Sequence, residues 1–306
     1  MDNKEKLQVG FFGYGTRALD ALMEHPLYEV KYFIAPKARL CQDVWDACEK
    51  YKGKLEFSIV NDKRELEQKF AQRKDADSWI MNASPIILDK GVLDQADVFN
   101  IHPGNLETNR GHHPHLWTVL LGEPKSQIVL YKVNEEIDLG EVVHFVEIGI
   151  SPDDSSLDVL NKLEDRIPDL LDAFYEYRVN HEPGKGNVVA GTYRKMLAYK
   201  DYEIDIEKDD FIQMKRKILA RAMHRGAFLQ TEGKRYYVDR ISLGHTDYEY
   251  GQEEQSECEM VQSLDEREKE GSCLKIEEEK QTILLTKSQQ EWVRFHINAI
   301  EDGLKE

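Results

Sequence analysis

The chain has 306 residues, of which 41% are hydrophobic and 32% are charged, and this composition excludes a disordered chain, a collagen and a disulfide scaffold. Its formal net charge is -17, from 41 Lys and Arg against 58 Asp and Glu. Because proteins bind nucleic acid through clustered cations, this charge disfavours nucleic acid as a partner. At roughly 100–200 residues per domain, the length predicts two domains.

The cysteines and the amino terminus bear on the cellular compartment. The four cysteines are irregularly spaced and include no C-x-x-C pair, which favours reduced thiols over a disulfide framework or a zinc site. The amino-terminal segment reaches a glycine turn after a few apolar residues, which is too short for a signal peptide or a membrane span. We therefore expect a cytoplasmic protein that does not associate with membranes. Whether it forms a homodimer is left open.

The first half of the chain alternates short apolar, β-branched runs with longer amphipathic segments, which is typical of βαβ units. This pattern predicts an α/β fold: a Rossmann-like, mainly parallel sheet with helices on both faces. The predicted strands cover 8–12, 29–34, 56–60, 78–81 and 98–101, and the predicted helices lie near 16–25, 41–51, 62–73 and 87–95. Two neighbouring strands, 127–133 and 141–146, and one helix over 155–178 are expected to complete the domain.

A stretch rich in Gly, Pro and polar residues at 181–187 is the best linker in the chain. We therefore predict a first domain of residues 1–190 and a smaller, mixed α+β carboxy-terminal domain of residues 191–306. Within the second domain the patterns predict a helix around 209–223, strands at 236–241 and 282–286, a final helix from about Ser288, and a solvated acidic loop over 253–270.

The turn Gly13-Tyr14-Gly15 follows a predicted strand and opens a predicted helix, as glycine turns do in dinucleotide-binding folds. Those folds also place an acidic residue at the end of the second strand, where this chain has Ala35 and Pro36 instead. The sequence therefore disfavours a nicotinamide cofactor and favours a plain tight turn.

Polar residues with catalytic chemistry follow the fifth predicted strand. Asn100 and His102 are two positions apart at the strand end, so both side chains should lie on one face of the sheet. Ligands of open parallel sheets bind beyond the carboxyl ends of the strands, where this strand end and its Gly-Pro loop fall. Asp138, in the turn between the next two strands, could join them.

An amide, an imidazole and a carboxylate suit the transfer of an acyl group to an amine. Asn100 could stabilise the oxyanion that develops on the attacked carbonyl. His102 could take the amine proton or donate to that oxyanion, and Asp138 would orient His102. No serine or cysteine nucleophile is visible beside these groups, which favours direct transfer over a covalent acyl-enzyme.

The order Asn100-x-His102-Pro103, then Asn109-Arg110-Gly111, then Asp138-Leu139-Gly140 resembles the catalytic region of formyltransferases that use N10-formyltetrahydrofolate. This family includes methionyl-tRNA formyltransferase, glycinamide ribonucleotide transformylase and the nucleotide-sugar N-formyltransferases. The resemblance spans roughly residues 8–240 and includes Ile204-Asp205 and Gly226-Ala227-Phe228 of the carboxy-terminal half. At Gly104 the family usually has a serine, and Asn82-Ala83-Ser84 lacks the usual aromatic-glycine character.

The resemblance implies a role for each matching residue. Asn100, His102 and Asp138 match the catalytic residues of the family. The segment 82–88 would lie near the pterin, so the residues expected to bind the formyl-folate donor are Ser84, Pro85, Ile86, Ile87 and Gly140. The residues expected to bind the acceptor are Gly13, Arg110, Gly111, His113 and Trp117.

Other interpretations of these residues remain open. His112, His113 and His115 crowd one loop after His102, so zinc is an alternative, but their spacing matches no standard metal motif and we expect no metal. Trp117 could simply pack in the core, and Arg110, which suits a phosphate, could be a surface cation.

The sequence supports three hypotheses about function. We favour an enzyme that formylates the amine of a nucleotide-linked amino sugar by direct attack. In this hypothesis Asn100 and His102 stabilise the oxyanion, and Asp138 assists removal of the amine proton. Formylation of methionyl-tRNA is the alternative; the negative charge and the absence of an arginine-rich insertion around 36–54 oppose it. A non-catalytic protein that binds sugar nucleotides is the third, and the intact set of Asn100, His102 and Asp138 disfavours it.

Overall fold

The computed structural model of the chain describes residues 5–187, 191–221, 226–231, 233–245, 273–286 and 291–301. The chain divides into two compact units. The first comprises Met1–Thr118, Pro124–Ile150 and Val159–Met196, and the second comprises Val119–Glu123, Ser151–Asp158 and Leu197–Glu306. The division into domains of residues 1–190 and 191–306 stays a prediction.

The first unit contains an eight-stranded sheet in which β1 to β5 run parallel and the last strands antiparallel. Its strands, in the order in which they lie side by side, are β3 (Glu56–Val60), β2 (Tyr28–Pro36), β1 (Leu7–Gly13), β4 (Ser78–Asn82), β5 (Val98–His102), β7 (Lys125–Lys132), β8 (Glu141–Gly149) and β9 (Gly186–Asn187). The short strands β6 (Arg110–Gly111) and β10 (Tyr193–Arg194) pair separately. The predicted α/β fold with a mainly parallel sheet is confirmed.

The first seven helices are α1 (Thr16–Glu24), α2 (Gln42–Lys50), α3 (Lys63–Gln72), α4 (Lys90–Leu93), α5 (Pro114–Leu121), α6 (Ser156–Glu164) and α7 (Ile167–Val179). A 3-10 turn covers Lys37–Arg39. No helix within the described ranges is long and apolar enough to cross a membrane.

Helices cover both faces of this sheet because neighbouring strand residues point to opposite sides. Phe12 of β1 packs with Phe70 of α3 on one face. On the other face, Phe99 of β5 lies against Phe174 of α7, with ring centroids 4.7 Å apart. All four side chains are fully buried, so the strands are apolar on both sides.

The sheet brings three strand ends together. β1, β4 and β5 are neighbours that run parallel, so their carboxyl ends share one edge, and these ends carry Gly13, Asn82 and His102. This is the edge at which open α/β sheets bind ligands. Because β7 runs antiparallel to β5 and Lys132 pairs with Phe99, the β7–β8 turn begins beside the amino end of β5, and Asp138 in this turn reaches the Tyr131 hydroxyl of β7.

The prediction of one long helix over 155–178 is wrong. The structure breaks it into α6 and α7, separated by Asp165 and Arg166. Pro168 stands in the first turn of α7, where its missing N–H costs nothing, but its ring clashes with a continuous preceding turn. The proline therefore starts a new helix. The helix predicted near 87–95 is shortened to the four residues of α4.

The second unit contains a 3-10 turn (Tyr199–Tyr202), helix α8 (Phe211–Ala220) and a five-stranded antiparallel sheet. The strands lie in the order β11 (Ala227–Thr231), β12 (Lys234–His245), β15 (Glu291–Glu301), β14 (Thr282–Thr286) and β13 (Cys273–Glu277). Another 3-10 turn covers Glu278–Lys280. The predicted smaller domain containing both helix and strand is thus present. The predicted acidic loop over 253–270 lies outside the described residues.

The prediction of a final helix from Ser288 is wrong, because the structure has strand β15 there. Val293, Phe295 and Ile297 are buried, while Arg294 and His296 between them are partly exposed. This period of two is that of a half-buried strand. β15 pairs with both β12 and β14, so it is a central strand of the sheet.

Candidate functional site

Three side chains that sequence reasoning selected as catalytic meet beside strand β5 of the first sheet. Asn100 and His102 lie on β5 and are 8% and 4% exposed. Asp138, in the β7–β8 turn, is 8% exposed and adopts a left-handed backbone conformation with φ 54°. The structure therefore brings an amide, an imidazole and a carboxylate into one small, nearly closed cluster.

A fourth side chain, that of Tyr131 on β7, links two of the three. The amide nitrogen Nδ2 of Asn100 donates to the Tyr131 hydroxyl at 2.9 Å. That hydroxyl donates to Oδ1 of Asp138 at 2.6 Å. Sequence reasoning missed Tyr131; the available signal was a hydroxyl in an otherwise apolar stretch of β7, opposite Asn100 in the sheet register.

The second carboxylate oxygen of Asp138 is held from the other side. Its Oδ2 accepts a hydrogen bond of 2.6 Å from the backbone N–H of Gly111 and lies 3.7 Å from Nδ1 of His102. Both oxygens thus have a donor, while the imidazole lies beside the carboxylate at slightly more than hydrogen-bond distance. The carboxylate therefore faces the imidazole without a direct hydrogen bond to it.

The orientation of His102 follows from its other nitrogen. Nε2 lies 3.0 Å from the carbonyl oxygen of Asn109, and because a carbonyl can only accept, Nε2 carries a proton. Nδ1 is therefore the nitrogen that faces Asp138. Asn109 itself is fully buried, which makes this contact a fixed part of the site.

Two glycines allow this close packing. Gly111 has φ 94°, and a Cβ there would lie 2.6 Å from the carbonyl oxygen of Arg194. Gly140 follows the Asp138 turn, and a Cβ there would lie 1.7 Å from the carbonyl oxygen of Lys132. Gly111 was predicted to bind acceptor and Gly140 to bind donor. In the structure, each also has a direct role in shaping the loops around Asp138.

The loop that carries Gly111 is held by a segment much later in the chain. β10 runs parallel to β6, with N–H to carbonyl contacts of 3.1 Å from Arg110 to Thr192 and 3.0 Å from His112 to Arg194. Thr192 also donates to the Glu107 carbonyl at 2.9 Å. Residues 191–196, which sequence reasoning did not place at the site, therefore form one side of it.

Arg110 and Trp117 are tied to backbone carbonyls of the same unit. Nε of Arg110 donates to the carbonyl oxygen of Gly191 at 3.0 Å. Its Nη1 donates to the carbonyl oxygen of Ile137, the residue before Asp138, at 2.9 Å. The indole N–H of Trp117 donates to Lys195 at 3.1 Å, and the guanidinium of Arg194 lies over its ring, 5.3 Å from the centroid. Arg110 and Trp117 therefore hold the loop of residues 110–117 in place, and Arg194 places a positive charge beside that loop.

The glycine turn after β1 packs tightly against the segment predicted to bind the donor. A Cβ on Gly13 would lie 1.9 Å from the backbone oxygen of Asn82, and one on Gly15 would lie 1.7 Å from Oδ1 of the Asn82 side chain. The amide of Tyr14 donates to the carbonyl of Ala83 at 3.0 Å. Close approach of this neighbouring loop therefore explains both glycines without a dinucleotide.

The predicted donor segment is partly open. The hydroxyl of Ser84 accepts a hydrogen bond of 3.0 Å from the amide of Ile86, which closes a small turn. Pro85 is exposed, Ile86 is half-buried, and Ile87 is 63% exposed. The exposed apolar side chain of Ile87, in the segment that follows β4, offers a contact surface for a flat ligand.

Three residues with positive φ other than glycine lie in the predicted site loops. They are Ala83 at 55°, His113 at 49° and Asp138 at 54°. L-residues reach this region at a cost of about 1 kcal/mol, so such conformations persist where the surroundings impose them. The surroundings therefore constrain the loops in which donor, acceptor and catalytic residues were predicted.

The histidine-rich loop does not assemble a metal site. His112 and His113 are exposed, whereas His115 is buried. Over the part of the chain that the structure describes, no group of three or more His, Cys, Asp or Glu side chains is arranged to hold a metal ion. The zinc alternative therefore has no geometric support there.

The three positions predicted to be catalytic fall inside a segment that matches a known family model. Residues 35–172 match the family model described as Formyl transferase, and this range contains Asn100, His102 and Asp138. The match covers somewhat less than half of the chain. The resemblance predicted from the motif is confirmed.

Curated relatives agree with this family. Over 183 residues the chain is 28% identical to methionyl-tRNA formyltransferase of Ehrlichia canis (strain Jake), an alignment that covers 59% of this chain and 58% of that protein. For the homologue of Pseudoalteromonas translucida the identity is 28% over 139 residues, covering 44% of this chain and 43% of that protein. The chain thus matches about half the length of these curated relatives.

Solved structures share the fold. The N-formyltransferase from Helicobacter canadensis, in complex with folinic acid and dTDP-3-aminofucose, superposes with a TM-score of 0.62 at 13% identity, covering 94% of this chain and 98% of that one. HypX from Aquifex aeolicus in complex with tetrahydrofolic acid has a TM-score of 0.60 at 15% identity, covering 94% of this chain and 43% of HypX. At such identities these likenesses concern the fold.

Proposed function

We propose that this chain is an N-formyltransferase that moves a formyl group from N10-formyltetrahydrofolate to the amine of a nucleotide-linked amino sugar. The observation that carries the proposal is the convergence of Asn100, His102 and Asp138 in one buried cluster within a formyl transferase domain. The folate and amino-sugar ligands of structures that share the fold support the donor and the acceptor class.

In this proposal the reaction is a direct transfer. The amine nitrogen of the acceptor attacks the formyl carbon, which forms the new C–N bond and places negative charge on the formyl oxygen. An N–H of Asn100 stabilises that oxyanion. When the oxyanion collapses, the bond from the carbon to N10 of the folate breaks, and N10 leaves with the proton that the attacking amine gave up.

Asp138 and His102 handle the proton that the attacking amine loses. The carboxylate of Asp138 accepts this proton. Nδ1 of His102 lies 3.7 Å from that carboxylate, so the proton can then move toward the imidazole. Because Nε2 of His102 is held by the Asn109 carbonyl, the ring needs no reorientation during the reaction. The protein's own groups therefore hold the ring in place.

The open segment around Ile87 is the proposed donor site. A pterin is flat and largely apolar on its faces, and burial of exposed apolar surface favours binding at about 25 cal/mol per Å². Ser84, Pro85, Ile86 and Ile87 form this surface, and Gly140 lies in the adjacent hairpin. Backbone groups of the same segment would meet the polar edge of the pterin.

The loop of residues 110–117 is the proposed acceptor site, together with the turn at Gly13. Arg194 over Trp117 supplies a cation beside the exposed His112 and His113, which suits the phosphates of a nucleotide. Arg110, with two carbonyl partners, contributes mainly by holding the loop. A small anionic acceptor needs only a local patch of this kind, despite the net charge of -17.

Methionyl-tRNA is the second candidate acceptor, because the curated relatives carry that activity in their names. The net charge of -17 opposes it, since a tRNA requires an extended set of cations. A sugar nucleotide and a tRNA are therefore the two acceptors to compare directly.

Parallel formylation assays with each acceptor distinguish these two possibilities. The protein is incubated with N10-formyltetrahydrofolate and either a panel of amino-sugar nucleotides or methionyl-tRNA, and products are examined by mass spectrometry for the gain of one formyl group. We expect formylation of at least one amino-sugar nucleotide and none of the tRNA, with His102→Ala as the inactive control. Formylation of methionyl-tRNA alone would reject the sugar acceptor, and no formyl transfer to either acceptor would reject the enzyme.

A further inference from the structure

Tyr131 occupies the centre of the proposed catalytic cluster although the motif does not include it. It lies on β7 directly opposite Asn100 of β5, and its side chain is 2% exposed. Its apolar neighbours are Leu106, Val129 and Val142, so the ring is packed and only the hydroxyl meets polar groups. The ring therefore holds the hydroxyl at a fixed position between strand β5 and the β7–β8 turn.

The direction of each hydrogen bond around this hydroxyl is determined by its partners. An ionised carboxylate only accepts, so the single O–H of Tyr131 donates to Oδ1 of Asp138. The hydroxyl oxygen is then left to accept, and it accepts from Nδ2 of Asn100. The chain of donors thus runs from Asn100 through Tyr131 to Asp138.

The tyrosine keeps its proton in this environment. Burial, the negative charge of Asp138 and the hydrogen bond to Asp138 hold the pKa of Tyr131 well above its usual range, while the bond from Asn100 opposes the shift. A neutral phenol is therefore the species that sits between the amide and the carboxylate. It neither supplies nor takes the proton of the reaction.

This arrangement decides which end of Asn100 can reach a substrate. One N–H of its amide is committed to Tyr131, so the other N–H of the same nitrogen is the donor left to meet an oxyanion. Without the hydroxyl, the amide could rotate and present its carbonyl oxygen instead, which repels an oxyanion. The same hydroxyl prevents Asp138 from turning about its side-chain bond.

We propose that Tyr131 is a positioning residue that locks the Asn100 amide and the Asp138 carboxylate in a single mutual orientation. The proposal rests on the proposed function, because its kinetic consequence is a slower formyl transfer. It acts through Asn100 and Asp138 and does not itself touch the reacting atoms.

The test is the variant Tyr131→Phe, which removes the hydroxyl and keeps the ring. We expect kcat for formyl transfer to fall about 10- to 100-fold, with KM for donor and acceptor changed less than about twofold. Tyr28→Phe is the matched control, since the buried Tyr28 hydroxyl also donates a hydrogen bond, to the Leu171 carbonyl, away from the cluster. It should lower the melting temperature and leave kcat unchanged.

A double-mutant comparison distinguishes positioning from a general loss of stability. In the Asn100→Ala background, Tyr131→Phe should lower kcat by less than about threefold further, because the group that it orients is already absent. A kcat of Tyr131→Phe within about twofold of the wild type would overturn the proposal, as would an equal loss in both backgrounds.

A measurement without turnover keeps this proposal separate from the proposed function. In a 15N NMR spectrum, the side-chain amide signal of Asn100 is the one that disappears in Asn100→Ala. We expect it to shift in Tyr131→Phe and to stay in place in Tyr28→Phe; an unmoved signal in Tyr131→Phe would overturn the proposal. If the wild type formylates no acceptor, the proposed function fails, and this comparison still decides whether Tyr131 holds Asn100.

Discussion

The proposed catalytic cluster lies beside β5, and the proposed donor segment follows the neighbouring strand β4, yet the two are built differently. Asn100, His102 and Asp138 are each at most 8% exposed and are connected by hydrogen bonds to Tyr131, Gly111 and Asn109. In the donor segment, by contrast, Ile87 is 63% exposed. The groups proposed for chemistry are thus held by the protein's own hydrogen bonds, while the groups proposed for binding leave surface for a ligand to cover.

The largest expected effect on activity comes from removing the negative charge of Asp138 from the cluster. In Asp138→Asn the shape is kept, but the proton acceptor is lost, so we expect kcat to fall about 10²- to 10³-fold with little change in KM. Steady-state kinetics with both substrates measures this. Asp89→Asn, at the exposed cap of α4, is the control and should behave as the wild type. Comparable activity of the two variants would remove Asp138 from the mechanism.

The next largest effect is expected where a loop supports the cluster. Gly111→Ala forces a Cβ toward the Arg194 carbonyl at φ 94° and displaces the N–H that holds Asp138. We expect about a tenfold lower kcat and a loss of about 1–3 kcal/mol of unfolding free energy. Gly53 has φ 77°, and a Cβ added there would meet nothing within 4 Å. Gly53→Ala should therefore cost some stability by denaturant unfolding but no activity.

A smaller effect, on binding alone, is expected in the donor segment. Ile87→Ala removes apolar surface from a side chain that supports no buried group, so KM for the formyl-folate donor should rise about 3- to 10-fold at unchanged kcat. Ile212→Ala, at a 56% exposed isoleucine of α8, is the matched control. A fall in kcat with unchanged KM for Ile87→Ala would show that the segment belongs with the chemistry instead.

The smallest effect concerns stability at alkaline pH. Burial raises the pKa of Tyr131 well above its usual value of about 10, which the unfolded chain retains. A group whose pKa is raised on folding stabilises the protein below the unfolded value, and this stability is lost as pH rises above it. Between about pH 9 and about pH 11, Tyr131→Phe should therefore lose less unfolding free energy than the wild type, by at most about 1.4 kcal/mol per pH unit. Parallel denaturant curves at the two pH values test this; equal losses would contradict it.

Local pattern was sufficient to predict the parallel sheet. The strand predicted at 56–60 has the same limits in β3. The strand predicted at 98–101 is one residue shorter than β5 at one end, and that at 8–12 is one residue shorter than β1 at each end. Buried parallel strands carry continuous apolar runs bounded by turn residues, so their limits are written locally. Local sequence signals also existed for the break before Pro168, which is the proline itself, and for strand β15, which is an apolar period of two. Both segments were nevertheless predicted to be helical.

The candidate site was predictable only in part, because hydrogen-bond partners are set by register and not by motif. Asn100, His102 and Asp138 could be selected from residue type and order. Tyr131 could not, since its role depends on facing Asn100 across two antiparallel strands. Nor could the pairing of residues 193–194 with 110–111, which joins two segments that are far apart in the sequence.

Because of that pairing, residues proposed for acceptor binding and residues proposed for chemistry lie in different parts of the sequence. The stretch at 191–196 shapes the acceptor loop through backbone contacts and through Arg194, whereas the three side chains proposed for chemistry all precede residue 139. Changes in this short downstream stretch could alter which amine is accepted while the reaction itself is preserved. Exchanging it between relatives is thus a compact route to new acceptor preferences.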